Sequence, residues 1–264
     1  MKKILFTAAA LLMAVSLSAQ TREAFNAELG GRLSVELDKK IAKGWHVYLN
    51  EEVRLDENFT TFDRFHTTLG TSYKFNSFLK GGIEYSLINH YKPNAKEWQN
   101  KHRLSLYLTE RFKTGDWTLS LKETFRFTHK AYENNTFQSP RNPLNLKVRF
   151  QAQYGGFHNV EPYAGIEGRL LLNGATCSAT YYSASDTWGD YSFTGYGDVY
   201  VNRIRGFAGL EWKLTRKHTL DFRLLADYLM DKEIDTNSEG TELKSMVLTN
   251  KLFPQLCIGY KFSF

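Results

Sequence analysis

The sequence predicts an all-β fold: one closed, antiparallel up-and-down barrel of ten to twelve strands that crosses a membrane. Three observations carry this. Apolar residues recur at every second position through nearly the whole chain, the period of a strand with one apolar side. The links between these segments alternate between short and long, as the turns of a barrel with two unlike ends do. The alternation also runs to the last residue: Leu256, Ile258, Tyr260, Phe262 and Phe264 share one parity, with Cys257, Gly259, Lys261 and Ser263 between them.

The segments follow in order. Residues 1–19 read as a secretory signal peptide: Lys2 and Lys3, an apolar run from Ile4 to Leu17, then the small residues Ser16, Ser18 and Ala19. That run is too short to span a bilayer as a helix. Residues 20–264 form the barrel domain. Its first segment sets Phe25, Leu29, Leu33, Val35 and Leu37 against Glu28, Arg32, Ser34 and Glu36. Later segments place Trp45, Val47, Leu49 and Val53, then Phe65, Leu69 and Tyr73, then residues 79–89, on the apolar parity. Leu104, Leu106 and Leu108 oppose Arg103, Ser105 and Tyr107, and Trp117, Leu119, Leu121 and Phe125 oppose Lys122, Thr124 and Arg126. Leu146, Val148 and Phe150 oppose Lys147 and Arg149; Ile166 and Leu170 oppose Glu167 and Arg169. Ile204, Ala208 and Leu210 oppose Arg203, Arg205 and Glu211, and Phe222 and Leu224 oppose Arg223.

Short turns are expected at residues 39–44, 76–78, 113–116, 155–159 and 215–218, and longer links at 56–61, 91–97, 130–143, 173–200 and 231–242. Aromatic residues collect at the short-turn ends (Trp45, Tyr73, Phe75, Phe112, Trp117, Tyr154, Trp212, Phe264), where an interfacial girdle belongs. A soluble sandwich or lipocalin-like barrel would share the alternation. It would not place Arg, Lys and Glu at mid-strand on the polar parity, aromatics at strand ends and an aromatic at the terminus. Eleven segments are legible, whereas bacterial single-chain barrels have even strand numbers, so ten and twelve are the two expected counts.

Composition excludes several classes. The net charge of +6 is mild and scattered, unlike a nucleic-acid-binding patch. Two cysteines, Cys177 in an expected loop and Cys257 in the last strand, make no disulfide framework. No HxH, CxxC or HExxH spacing occurs, so neither metal nor cofactor is expected. None of the seven histidines has a serine two residues on, so no triad is visible and no enzyme is expected. Glu51, Glu110 and Glu123 fall on the apolar parity. Glu110 is close enough to a turn to reach the interface. For the mid-strand Glu51 and Glu123, a β-bulge turning each back inward is the expected explanation, with an intersubunit contact the alternative.

The lumen-lining candidates are Arg103, Lys122, Arg126, Lys147, Arg149, Glu167, Arg169, Arg203, Arg205, Glu211 and Arg223, with Arg203, Arg205 and Arg223 the densest basic group. Two readings stay open. Rings of basic side chains select anions, and interleaved Arg and Glu fill a narrow interior with ion pairs. Residues 173–200, rich in Tyr and Trp, read either as the tops of extended strands or as a glycan-binding or partner-binding surface.

Two resemblances sharpen the expectation. Tyr260, Phe262 and Phe264 resemble the closing strand of bacterial outer-membrane barrels, which implies recognition by the barrel-assembly machinery. Lys39-Lys40, Glu51-Glu52-Val53-Arg54, Tyr73 and Asn202-Arg203-Ile204-Arg205 are similar to the exported barrels of Bacteroides-type bacteria catalogued as domain of unknown function twenty-four-ninety. That resemblance implies the barrel and a cell outer-membrane location, and brings no activity. The expected function is a small pore for solutes, anionic ones among them. The alternatives are a closed structural or surface-interaction barrel and, third, a lipid-modifying enzyme. The expected partners are outer-membrane lipids and no nucleic acid.

Overall fold

The computed structural model describes residues 20–23, 29–92, 96–183, 185 and 187–264; the expected signal peptide and residues 25–28 of the first expected segment lie outside these. Twelve strands form one sheet: β1 (Gln20–Glu23), β2 (Gly30–Ala42), β3 (Trp45–Asp56), β4 (Thr61–Lys74), β5 (Leu79–Lys92), β6 (Glu97–Thr114), β7 (Trp117–Lys130), β8 (Leu144–Tyr154), β9 (Val160–Tyr182), β10 (Thr187–Lys213), β11 (His218–Thr236) and β12 (Leu243–Ser263). Strands β2 to β12 pair consecutively and antiparallel, and β12 returns to β2 to close the barrel.

The closed wall therefore has eleven strands, which corrects the expected even count. The correction follows from direction. In an up-and-down meander, an odd number leaves the first and last strands pointing the same way, so the seam must be parallel. It is: nine residue pairs run from Gln255↔Gly30 to Ser263↔Asp38. The short β1 adds a second parallel pairing on the same edge of β12, from Gln20↔Val247 to Glu23↔Asn250. Phe264 locks the bottom of the seam, its amide N–H donating to the Asp38 carbonyl at 3.0 Å and its carbonyl accepting from Lys40 N–H at 3.2 Å.

The expected short turns and the chain terminus gather at one end, the longer links at the other. Residues 173–200 bear out one of their two readings: they are the tops of extended strands, the upper halves of β9 and β10. What is corrected is the long link expected there, and with it the loop position of Cys177, which lies in β9. The register of this hairpin shifts repeatedly above Arg203, and each shift breaks the alternation that marks a strand in the sequence. The extended wall carries an apolar cluster of Ala175, Ile234 and Leu243 with Trp188, Tyr191 and Phe193 against it.

The β7–β8 link docks onto this extension. Asn135 Nδ2 donates to Thr236 Oγ1 at 3.1 Å, Gln138 Nε2 to Asp235 Oδ1 at 2.9 Å, and Phe137 meets Phe193 edge-on at 5.3 Å. The link thus reaches past β9 to the β10 wall and the β11–β12 turn.

Glu51 and Glu123 supply a third correction. No bulge turns them inward. The β6–β7 ladder is unbroken from Lys101↔Lys130 to Thr114↔Trp117, because a two-residue turn fixes every pair above it. The ladders at Glu51 are equally regular. Glu123 and Glu51 keep the outward parity and are exposed, and Glu51 Oε2 accepts a hydrogen bond from Thr67 Oγ1 at 2.9 Å.

Candidate functional site: a charged waist in the barrel lumen

Every lumen candidate lies on the inner face, because the two-residue period of each strand sends these positions away from the exposed apolar parity. The centre of the arrangement is one row of directly opposed residues. Arg149 on β8 faces Glu167 on β9, Glu167 faces Arg205 on β10, and Arg205 faces Asp227 on β11. The signs alternate along the row, which makes each neighbour a counter-ion.

Glu167 is only 1 % exposed and meets four cations: Lys147 Nζ at 2.8 Å, Arg149 Nε at 3.1 Å, Arg203 Nη2 at 2.5 Å and Arg205 Nη1 at 4.0 Å. Asp227 takes a bidentate pair from Arg205, Nε at 2.5 Å and Nη2 at 2.7 Å. The row then crosses the seam. Gln255 on β12 donates to Asp227 at 3.4 Å and accepts from Arg32 on β2, whose Nη2 stands 3.8 Å from Asp227. Arg32 reaches Glu52 on β3 at 4.0 Å, and Glu52 holds Arg54 at 2.6 Å.

The β6–β7 wall is different. Arg103 faces Ser86 and Thr128, and Arg126 faces Ser105 and Asn145. Among the described residues neither has a carboxylate within 4 Å. Arg103 finds only Thr128 Oγ1, at 3.3 Å, and Arg126 Nε has no hydrogen-bond partner. Arg169 is likewise held by an amide, Asn202 Oδ1, at 2.6 Å. Arg103 lies in the electrostatic field of Arg126, Arg54 and Arg169, and Arg126 in that of the more distant Glu167 and Glu84 as well as of Arg169 and Arg54.

The waist separates two chambers. One, of about 710 Å³, opens toward the short turns and is lined by Glu36, Asp38, Lys80, Arg111 and Lys261, with Arg149 at its top. The other, of about 620 Å³, opens toward the long links and has Arg203 and Asp227 at its floor, under Asp63, Arg64, Lys101 and Lys251. Between chamber and wall, Tyr48 and Tyr107 lie flat on Gly70 and Gly82 of the neighbouring strands. A Cβ at Gly82 would collide with the Thr71 carbonyl oxygen and the Tyr107 ring, so only glycine admits this packing. Tyr48 Oη donates to Glu84 at 2.8 Å, and Lys122 sits 3.6 Å from Glu84 and 3.9 Å above the Tyr107 ring.

Arg203 and Arg205 are thus buried in ion pairs. Arg223 stands 3.4 Å from Asp221, and Glu211 accepts from Gln153 at 3.2 Å. The free positive charge lies instead at Arg103, Arg126 and Arg169. Arg32, Glu52, Arg54 and Gln255 belong to the waist but were not among the lumen candidates, although Arg32, Glu52 and Arg54 stand on the polar parity of the first hairpin. Tyr260, Phe262 and Phe264 lie on the outer face beside the seam, with Phe262 stacked on Phe264 at 5.5 Å. Among the described residues, no group of three or more His, Cys, Asp or Glu is placed to hold a metal.

No curated protein matches the sequence. Among solved structures the chain is similar to the NanC porin, with 12% identity and a TM-score of 0.44, covering 90% of this chain and 99% of that one. The family model described as "Protein of unknown function (DUF2490)" matches residues 32–176, more than half of the chain and the stretch from Arg32 at the seam through Glu167 and Arg169. The chain is a member of that family.

Proposed function

We propose that this protein is an outer-membrane barrel that passes small anionic solutes through its lumen. The observation that carries the reading is the charge imbalance at the waist. Nine basic side chains (Arg32, Arg54, Arg103, Arg126, Lys147, Arg149, Arg169, Arg203, Arg205) meet three carboxylates, Glu52, Glu167 and Asp227. The paired members brace the wall, and the unpaired ones leave fixed positive charge facing water. Such charge offsets the cost of dehydrating a passing anion and repels cations.

The outer wall fits the same reading. Its apolar parity is exposed, and exposed aromatics, among them Trp45, Trp117 and Trp212, mark the short-turn end. The refolded protein in a planar bilayer is expected to give steady single-channel steps with a reversal potential of anionic sign in a salt gradient. Electrical silence, or cation preference, would overturn the reading and leave the closed, surface-interaction barrel.

The outward carboxylate at Glu123 gives an independent check on the lipid contact. A lipid-facing acid costs less than the roughly 2–4 kcal/mol of a mid-bilayer Arg or Lys, so Glu123→Leu is expected to raise stability by about 1–2 kcal/mol in phosphatidylcholine vesicles. Urea titration in vesicles and in detergent measures it. An equal or negative change in vesicles would count against a wall that meets lipid there.

A further inference from the structure

We infer that the outer wall of β5 to β8 holds a binding site for the phosphate of an outer-leaflet lipid headgroup, made by His102, His129, Tyr85 and Asn142. The inference rests on the membrane reading above. These residues stand on the apolar, outward parity, where the neighbours are Leu87, Leu104, Phe125, Phe127 and Leu144. His102 and His129 are directly opposed across β6 and β7, with ring centroids 6.4 Å apart. Each ring is fixed through Nδ1: His102 by Tyr85 Oη at 2.6 Å, His129 by Asn142 Oδ1 at 2.8 Å. Both Nε2 atoms are left with no hydrogen-bond partner among the described residues.

Two oriented imidazoles with open nitrogens are a poor lining for acyl chains. They suit a ligand that accepts hydrogen bonds and carries negative charge, because an imidazole Nε2–H donates to an anionic oxygen. The height agrees. Trp98 lies four residues beyond His102 on the same face of β6, in a ring cluster with Phe62, Phe65 and Tyr91. Aromatic girdles mark headgroup level, and the histidines sit at its inner edge. The exposed Arg141, next to Asn142, adds a permanent positive charge at the rim. No serine, threonine or cysteine joins the row, so the arrangement binds and carries out no acyl transfer.

The test uses the full barrel refolded into phosphatidylcholine vesicles, with insertion checked by protease resistance. Spin-labelled phosphatidic acid and spin-labelled phosphatidylcholine then report the lipid in contact with the protein. The wild type is expected to prefer phosphatidic acid by about fivefold, the factor that one basic group near an anionic surface supplies. H102Q/H129Q, which keeps size and hydrogen-bonding capacity, is expected to lose most of that preference while still inserting. Inserted wild type with no preference, or a preference unchanged in the double variant, would overturn the site and leave the membrane barrel standing. Loss of the preference when inorganic phosphate is added would assign the site to soluble phosphate and overturn the lipid assignment. Failure of the wild type to insert would overturn the membrane reading and this site with it.

Discussion

Replacing Glu167 with alanine is expected to lower the stability of the barrel by about 3–5 kcal/mol, the usual cost of leaving buried charge without its partner. The four cations around Glu167 come from two neighbouring strands, Lys147 and Arg149 on β8, Arg203 and Arg205 on β10. The carboxylate lies between them, and the alternating row depends on it. Without it, the two cations of β8 lose their carboxylate, and the two guanidinium groups of β10 are left to share Asp227. Glu167→Gln keeps shape and one acceptor, and should recover part of the loss. A double-mutant cycle with Arg203→Ala should show coupling well above about 1 kcal/mol, as residues in one network do. The exposed pair Lys251–Glu233, 3.9 Å apart at the upper wall, is the control, and Glu233→Ala should change stability by less than about 1 kcal/mol. Urea unfolding followed by tryptophan fluorescence reads all five variants, the double variant of the cycle included. A Glu167→Ala loss no larger than that of the control would show the waist to be well hydrated, with each cation solvated on its own.

Much of this architecture is legible in the sequence for a local reason. Period two assigns a face to each residue, and a tight turn then fixes which residues oppose each other. The turn at residues 115–116 places His102 opposite His129 by counting alone, and both stand on the apolar parity. The outer-wall pair is therefore legible in the sequence as a cross-strand pair. The Arg149–Glu167 contact does not follow from counting, because the β8–β9 pairing begins at Gln153↔Tyr163, two residues off the register that a symmetric turn at 155–159 would set.

Three things were out of reach. The upper β9–β10 hairpin hides because its register shifts between Gly189 and Arg203 scramble parity, so residues 173–200 read as a link. The seam hides because β2 and β12 are at opposite ends of the chain, and no turn sets their register. Arg32, Gln255 and Asp227 meet only once that seam closes. The outward Glu123 hides because the cost of a lipid-facing acid points to a bulge, and that cost does not decide the register. Cross-strand geometry is local and follows from sequence; closure is global and does not.

The second large effect concerns the passing ion. Arg103→Gln with Arg126→Gln removes two fixed charges that have no carboxylate within 4 Å among the described residues, so the change falls mainly on the permeating ion and not on a broken pair. A unit charge about 6 Å from an ion in water contributes about 0.7 kcal/mol, roughly threefold in favour of an anion and threefold against a cation, so the two together should cut the anion-to-cation permeability ratio by about a hundredfold. At 1 M salt, where the screening length falls to about 3 Å, most of the difference between variant and wild type should vanish. Stability should move little, because Arg103 holds only a 3.3 Å contact to Thr128 and Arg126 Nε holds none. Arg203→Gln with Arg205→Gln is the informative contrast. Those side chains neutralise Glu167 and Asp227, so their loss exposes two carboxylates and should lower stability along with selectivity. A reversal potential unchanged by the first pair and shifted only by the second would place the selecting charge at Arg203 and Arg205, within the braced row. Shifted by the first pair alone at constant stability, it would divide the waist into a neutralised girdle that holds the wall and a free arginine face that meets the solute.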